Sequence, residues 1–139
     1  MSAAFEVCRK YGMSLGYHNH YDEFLTLEDG KMRLETLFEN CDEGVTFQPD
    51  VCWIAYAGCD PCAWIEKYAN RLNSVHLKQL GTVDGNKQCV PFRNGVLDLK
   101  KIIELAESHG NHLFIVEQER TPGDVMEVVA ENLSILQTY

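Results

Sequence analysis

The sequence predicts an α/β fold built on a parallel sheet, and three observations carry that prediction. Short strand-like runs alternate with helical patterns of about 10–15 residues, the signature of successive βα units. The run "LFIV" at 113–116 is apolar enough for burial on both faces, as strands of a parallel sheet require. A histidine or a carboxylate stands at or near the C-terminal end of every strand-like run, where parallel α/β folds place their sites.

Each element has its own warrant. "SAAFEVCRKYG" (2–12) is a helix capped by Ser2 and stopped by Gly12. "MSLGYHNH" (13–20) follows as a strand. "MRLETLFENC" (32–41) carries Leu34, Leu37, Phe38 and Cys41 at helical spacing. "VTFQPD" (45–50) is the second strand. The helix "AWIEKYANRL" (63–72) comes next, with Asp60 as its N-cap and Pro61 in its first turn. "SVHLKQ" (74–79) is the third strand. "LGTVDGNKQCVPFRNGVLD" (80–98), punctuated by Gly81, Gly85, Pro91 and Gly95, reads as a long irregular loop. Asp98 caps "LKKIIELAESHG" (99–110), which turns Ile102, Ile103 and Ala106 to one face and ends at Gly110. "LFIVEQ" (113–118) is the fourth strand. The last helix opens on Asp124 and Glu127 as a capping box and runs through Val128, Val129, Leu133 and Leu136. No linker, low-complexity segment or short-period repeat divides residues 1–139, so one domain is expected.

Composition narrows the function. A content of 45% hydrophobic and 24% charged residues describes a globular protein. No apolar run approaches membrane-span length, and the opening segment is too weakly apolar for a signal peptide, so a cytoplasmic protein is expected. Net charge −9 leaves no basic patch for a nucleic-acid backbone. The six cysteines are then expected as reduced thiols. Cys59 and Cys62 have redox-motif spacing in "CDPC", yet Asp60 and Pro61 are already explained as a helix start. Four βα units fit either a small doubly wound sheet or half of a (β/α)8 barrel, since a whole barrel needs about 250 residues. Composition does not choose between them.

The polar residues at strand ends carry the chemistry. In "GYHNH", His18 and His20 alternate onto one face, either as a pair for one divalent metal or as polar residues at a wet strand end. Asp50 ends the second strand, as a site carboxylate or as the cap of the next turn. His76 and Lys78 share a face of the third strand. His76 is a ligand or a hydrogen-bonded core histidine; Lys78 is a solvated edge charge or a cation for a substrate oxyanion. Glu117 directly follows four apolar residues, where a carboxylate is costly to bury without a partner. Together His, Asp, His and Glu make a mixed N/O set suited to Mn, Mg, Co or Zn.

The segments "GYHNHYDEF", "FQPDVCWIAYAGCDP", "RLNSVHLKQ", "NGVLDLKKIIELAESHG" and "FIVEQE" resemble the xylose isomerase-like TIM-barrel superfamily, the sugar phosphate isomerase/epimerase group, in that family's order. The resemblance covers only the family's C-terminal half, and so implies half of a (β/α)8 barrel, strands five to eight. Such enzymes hold a divalent metal with Glu, Asp, His and Glu. Asp50, His76 and Glu117 match the last three. The first ligand departs from the pattern: His18 stands in that strand, with His20 and Glu23 nearby. Lys78 matches the family's lysine, whereas Gln79, Pro49 and "FRNG" depart from its usual residues.

The resemblance implies a sugar or sugar phosphate as substrate, with the metal holding vicinal oxygens and Glu117 moving a proton next to a carbonyl, aided by Lys78. His20 and Glu23 become substrate contacts, and Trp53 an apolar wall for a sugar face or ordinary packing. The alternatives are a lyase resembling inosose dehydratase, a metal phosphodiesterase resembling endonuclease IV (which net charge −9 opposes), and an inactive half-barrel. A half-barrel exposes two strand edges and, on expectation, an apolar inner face. The chain is therefore expected either to pair with a second copy or a separate N-terminal half, or to be a truncated product with little activity.

Overall fold

The computed structural model describes residues 1–119, 121 and 123–139. Four short parallel strands form the frame: β1 (Gly16–His18), β2 (Thr46–Gln48), β3 (Val75–Leu77) and, last in the chain, β6 (Phe114–Val116). β1 pairs with β2 and β3 with β6, in register Tyr17↔Phe47 and His76↔Ile115. Parallel bridges Phe47↔Leu72 and Asp50↔His76 join the two pairs into the order β1-β2-β3-β6. Among the described residues the sheet is open, with β1 and β6 as its edges.

Helices α1 (Ser2–Lys10), α2 (Arg33–Glu39), α3 (Val51–Tyr56), α4 (Pro61–Lys67), α5 (Leu99–Ser108) and α6 (Val125–Leu136) accompany the strands. One apolar cluster joins Phe47 to Leu34, Phe38, Ile54 and Trp64. A second joins Val75 and Leu77 to Ile65, Leu99, Ile102 and Ala106. Phe47, Val75 and Leu77 have no solvent exposure, and burying each contributes about 1.5–3 kcal/mol. Because side chains alternate along a strand, burying these three turns Thr46, Gln48, Ser74 and His76 to the opposite face. Gln48 Nε2 donates to Ser74 Oγ there at 2.7 Å. Gly16 packs on the same side so closely that a Cβ would lie 2.8 Å from Thr46 Oγ1. The inner face is thus mostly polar, not the apolar surface expected, with Ile115 as its apolar member on β6 in register with His76.

Several local expectations change. Ser2 is the first residue of α1 and not its cap; its hydroxyl accepts from Asp42 N–H at 3.2 Å and ties the helix to the β2 approach. The six-residue α3 was not expected, and Asp50 caps it by accepting from Trp53 N–H. The 80–98 segment is not irregular at its start. It holds an antiparallel hairpin with β4 (Gln79–Val83) and β5 (Asn86–Val90), turned at Asp84 and Gly85 with φ 51° and 78°. Positive φ at both central residues is the type I′ geometry that matches strand twist. On α6, Asp124 caps by accepting from Met126 N–H. The inward position there is Asn132, whereas Leu133 is exposed. Asn132 Oδ1 accepts from the buried Phe92 N–H at 2.9 Å, which no leucine could do.

The remaining caps agree with expectation. Asp60 accepts from Cys62 N–H with Pro61 at the first position of α4, and Asp98 accepts from Lys101 N–H at the start of α5. Cys59 packs on the Phe47 cluster and Cys62 on the Leu77 cluster. The two thiols of "CDPC" thus pack against different apolar clusters, and both are free. Among the described residues, no helix is long and apolar enough to cross a membrane.

Candidate active site

The C-terminal ends of the four parallel strands bring the charged residues together. His18 is the last residue of β1, Asp50 lies just past β2, His76 is within β3, and Glu117 directly follows β6. His18 Nε2 lies 3.8 Å from Asp50 Oδ2, and the His18 and His76 rings are 4.4 Å apart. His76 Nδ1 lies 3.0 Å from Glu117 Oε2. His18, Asp50 and His76 each bring a ligand atom within 4.8 Å of the others, and Glu117 stands beside them at the solvent side.

Lys78 ties the group into one unit. Its ammonium lies 3.0 Å from Asp50 Oδ2, 3.0 Å from Glu117 Oε1 and 2.7 Å from Glu119 Oε1. With its side chain 2% exposed, it is not a solvated edge charge. Burial alone would lower its pKa, but the three carboxylates outweigh that and hold it above the ordinary lysine value. Asp50 is fully buried and serves twice. Oδ1 caps α3 through Trp53 N–H at 3.1 Å, and Oδ2 faces the site. Burial raises its pKa, and Lys78 and the Trp53 N–H counter this only in part.

The other groups follow the same physics. Burial and the neighbouring His76 lower the His18 pKa against the pull of Asp50, which favours the neutral imidazole that ligates metals. Burial would raise Glu117, but the Lys78 and His76 side chains outweigh it and keep the carboxylate ionised. One buried atom bears on metal fit: His18 Nδ1 has no hydrogen-bond partner among the described residues, whereas Asp50 Oδ2 and His76 Nδ1 face Lys78 and Glu117, each at 3.0 Å. A buried nitrogen such as His18 Nδ1 is costly to leave without a partner. An imidazole–carboxylate–imidazole set fits a borderline or hard divalent ion.

Around this core lie the expected substrate contacts. His20 is exposed, its ring 5.2 Å from His18 and 5.9 Å from Trp53. Trp53 is half-buried and packs against Tyr21 and Tyr56, with the Lys78 ammonium 5.7 Å from its ring. Glu23 turns back on its own segment: Oε1 accepts from Tyr17 OH at 2.6 Å and Oε2 from His20 N–H at 2.9 Å. Burial and this carboxylate push the Tyr17 hydroxyl up to about 12. Glu23 therefore fixes the turn that presents His20.

Two residues escaped sequence reasoning. Asn19, fully buried, accepts from Asp50 N–H at 3.0 Å and fastens β1 to the Asp50 backbone. Its position between two histidines gave no signal. Glu119 holds Lys78, and the spacing "EQE" does carry a signal, because alternation sets Glu117 and Glu119 on one side.

These observations agree with comparison to known proteins. The family described as xylose isomerase-like TIM barrel matches residues 1–139, and the chain belongs to it. It is similar to a sugar phosphate isomerase/epimerase from Parabacteroides distasonis, with TM-score 0.80, 27% identity, and coverage of 98% of this chain and 49% of that one. A xylose isomerase-like TIM barrel protein from Mycobacterium smegmatis in complex with magnesium shares the fold, with TM-score 0.69 and 21% identity over 98% of this chain and 47% of that one. An inosose dehydratase from Clostridium beijerinckii is 33% identical over 70 residues, 50% of this chain and 22% of that protein. The chain thus spans about half the length of the solved relatives it matches. Of the two architectures open to four βα units, the match selects half of a barrel with an unclosed sheet.

Proposed function

We propose that this chain supplies the C-terminal half of the active site of a metal-dependent sugar or sugar phosphate isomerase/epimerase that works by proton transfer next to a carbonyl. The observation that carries the reading is the convergence of His18, Asp50, His76, Glu117 and Lys78 at one end of the parallel sheet. His18, Asp50 and His76, with Glu117 at the rim, would hold a Mn, Mg, Co or Zn ion. Bound there, the ion supplies positive charge for the vicinal oxygens of a sugar. Glu117, ionised and half-exposed, takes the proton from the carbon beside the carbonyl. Epimerisation returns it to the same carbon. Isomerisation returns it to the former carbonyl carbon, while the adjacent hydroxyl proton passes to the former carbonyl oxygen. Lys78 holds the Glu117 carboxylate in place and places a fixed cation near the oxygen on which negative charge develops. His20 and Trp53 line the approach, one polar and one apolar, and suit the two kinds of surface a sugar presents. Glu23 positions His20.

The open edges at β1 and β6 call for a partner, and a separate N-terminal half-barrel restores one complete site more simply than a second copy does. The polar inner face, with Gln48, Ser74 and Thr46, suits a surface that becomes the interior of a sugar-binding barrel. A second reading is a lyase. It is favoured by the 33% identity to an inosose dehydratase over 70 residues. The same proton removal by Glu117 would then be followed by loss of the hydroxyl from the β-carbon as water.

Thermal unfolding of this chain with and without Mn²⁺ tests the metal set. At a concentration about 100 times its Kd, the ion should add about 2.7 kcal/mol of stability. His76→Ala should abolish the shift and Glu117→Gln should keep most of it. In the assembled barrel, Glu117→Gln should lose at least about 100-fold in exchange of the substrate C–H with solvent deuterium. Unchanged exchange would remove Glu117 as the base. Water loss detected without isomerisation would select the lyase.

A further inference from the structure

The proton-transfer chemistry uses none of the six cysteines, yet the fold brings two of them into contact. Cys52 Sγ on α3 and Cys89 Sγ on β5 lie 3.3 Å apart, although 37 residues separate them in the chain. We propose that Cys52 and Cys89 are a modification site: a dithiol that peroxide converts reversibly to an intramolecular disulfide, clamping the hairpin to α3.

The two sulfurs have different surroundings, and this sets the order of events. Cys52 has no exposure, and its thiol donates to Gln79 O at 3.5 Å. Cys89 is half-buried and lines two cavities, one of about 640 Å³ beside the hairpin and one of about 280 Å³ beside Trp53 and Tyr56. Oxidant reaches Cys89 first. Its sulfur attacks one oxygen of hydrogen peroxide, the O–O bond breaks, and a sulfenic acid and one water result. Cys52 sulfur then attacks the Cys89 sulfur, the S–O bond breaks, and the second water leaves with the remaining thiol proton. Two thiols lose two electrons in all, and peroxide gains them. The sulfurs need to close from 3.3 Å to the about 2.0 Å of a disulfide.

The location makes the bond consequential. Cys52 sits between Asp50, which caps α3 and faces the site, and Trp53, which walls it. A bond to β5 fixes the mouth of the site, because Lys87 and Gln88 of the same strand line the cavity with Trp53. The "CDPC" pair lacks this arrangement, since Cys59 and Cys62 pack into different clusters.

The test is peptide mapping of the chain after brief exposure to hydrogen peroxide, with thiol counting in denaturant. Two of the six thiols should be lost, with a mass loss of about 2 Da, in one linked peptide pair containing Cys52 and Cys89. Dithiothreitol should restore all six. Cys89→Ser should retain Cys52 as a free thiol under the same exposure, and the oxidised wild type should melt at a higher temperature than the reduced one. A first bond at Cys59–Cys62, a bond between chains, or no bond at all would overturn the proposal. The mapping reads wild-type protein, so the outcome stands whether or not the serine variant folds, and it is independent of any metal or sugar.

Discussion

Replacing Lys78 by Met should destabilise the chain strongly, and more at neutral than at acid pH. Methionine keeps most of the apolar stem and removes the charge, so the effect isolates electrostatics. Lys78 and Asp50 are 2% and 0% exposed by side chain, with 3.0 Å between charged atoms, so water screens this pair little. Breaking such a pair from one side costs about 3–5 kcal/mol. The contacts to Glu117 and Glu119, with side chains 41% and 35% exposed, are screened and add at most about 1 kcal/mol each. For a chain of this length the loss corresponds to a melting point about 10–25 °C lower. The sign of the pH dependence follows from Asp50, whose folded pKa already lies above its ordinary 3.8 through burial. Without Lys78 it rises further. A carboxyl with a raised folded pKa is easiest to bury below its unfolded pKa and becomes a liability as pH rises through its folded one. The penalty should therefore be small near about pH 4 and fully open near neutrality. Urea unfolding in chelator across that range measures it. Adding Asp50→Asn, which keeps an acceptor for the Trp53 N–H, should recover more than half of the loss. A loss below about 1 kcal/mol at neutral pH, or one independent of pH, would refute the reasoning.

Two further substitutions probe the support around the site. Asn19→Ala leaves the buried Asp50 N–H without its acceptor and should cost about 1–3 kcal/mol by chemical denaturation. It should weaken Mn²⁺ binding as well, since Asn19 fixes the Asp50 backbone. Gly95→Ala should destabilise by about 1–3 kcal/mol for want of space: a Cβ there would lie 2.1 Å from Gln79 Oε1, whose side chain is held by Leu97 N–H and Leu97 O. Unchanged unfolding midpoints in either variant would count against those contacts.

Strand ends were legible because their chemistry conflicts with their surroundings. Glu117 follows "LFIV", and His76 and Lys78 interrupt an apolar strand; such residues need partners, and the structure supplies them in one another. The hairpin was hidden by its own turn residues. Gly85 reads as loop punctuation with the neighbouring glycines, although a central Asp-Gly flanked by "LGTV" and "NKQCV" is also the strongest short hairpin pattern. α3 was hidden by length, for "VCWIAY" is too short to show a helical period. The inner face was misjudged for a different reason. A general barrel interior is apolar, but Gln48 and Ser74 satisfy each other across β2 and β3 and so remain polar at little cost.

The position of Asp50 explains why half a barrel can hold a site in shape. A carboxylate at a strand end would ordinarily swing with its loop. Here one oxygen is fixed by the first turn of α3, the backbone N–H by Asn19, and the residue bridges to His76 of the next strand. The other oxygen, Oδ2, is therefore aimed by three elements and stands 3.0 Å from the Lys78 ammonium. Lys78 then sets the charge balance, because a buried carboxylate beside two imidazoles needs either an ammonium or a metal ion to stay ionised. On the proposed reading, a partner half-barrel need not supply the residues of this cluster, which are already held; it would cover the edges at β1 and β6. A partner that closes those edges without contributing a metal ligand would be sufficient for the metal site, whereas substrate binding would depend on it throughout.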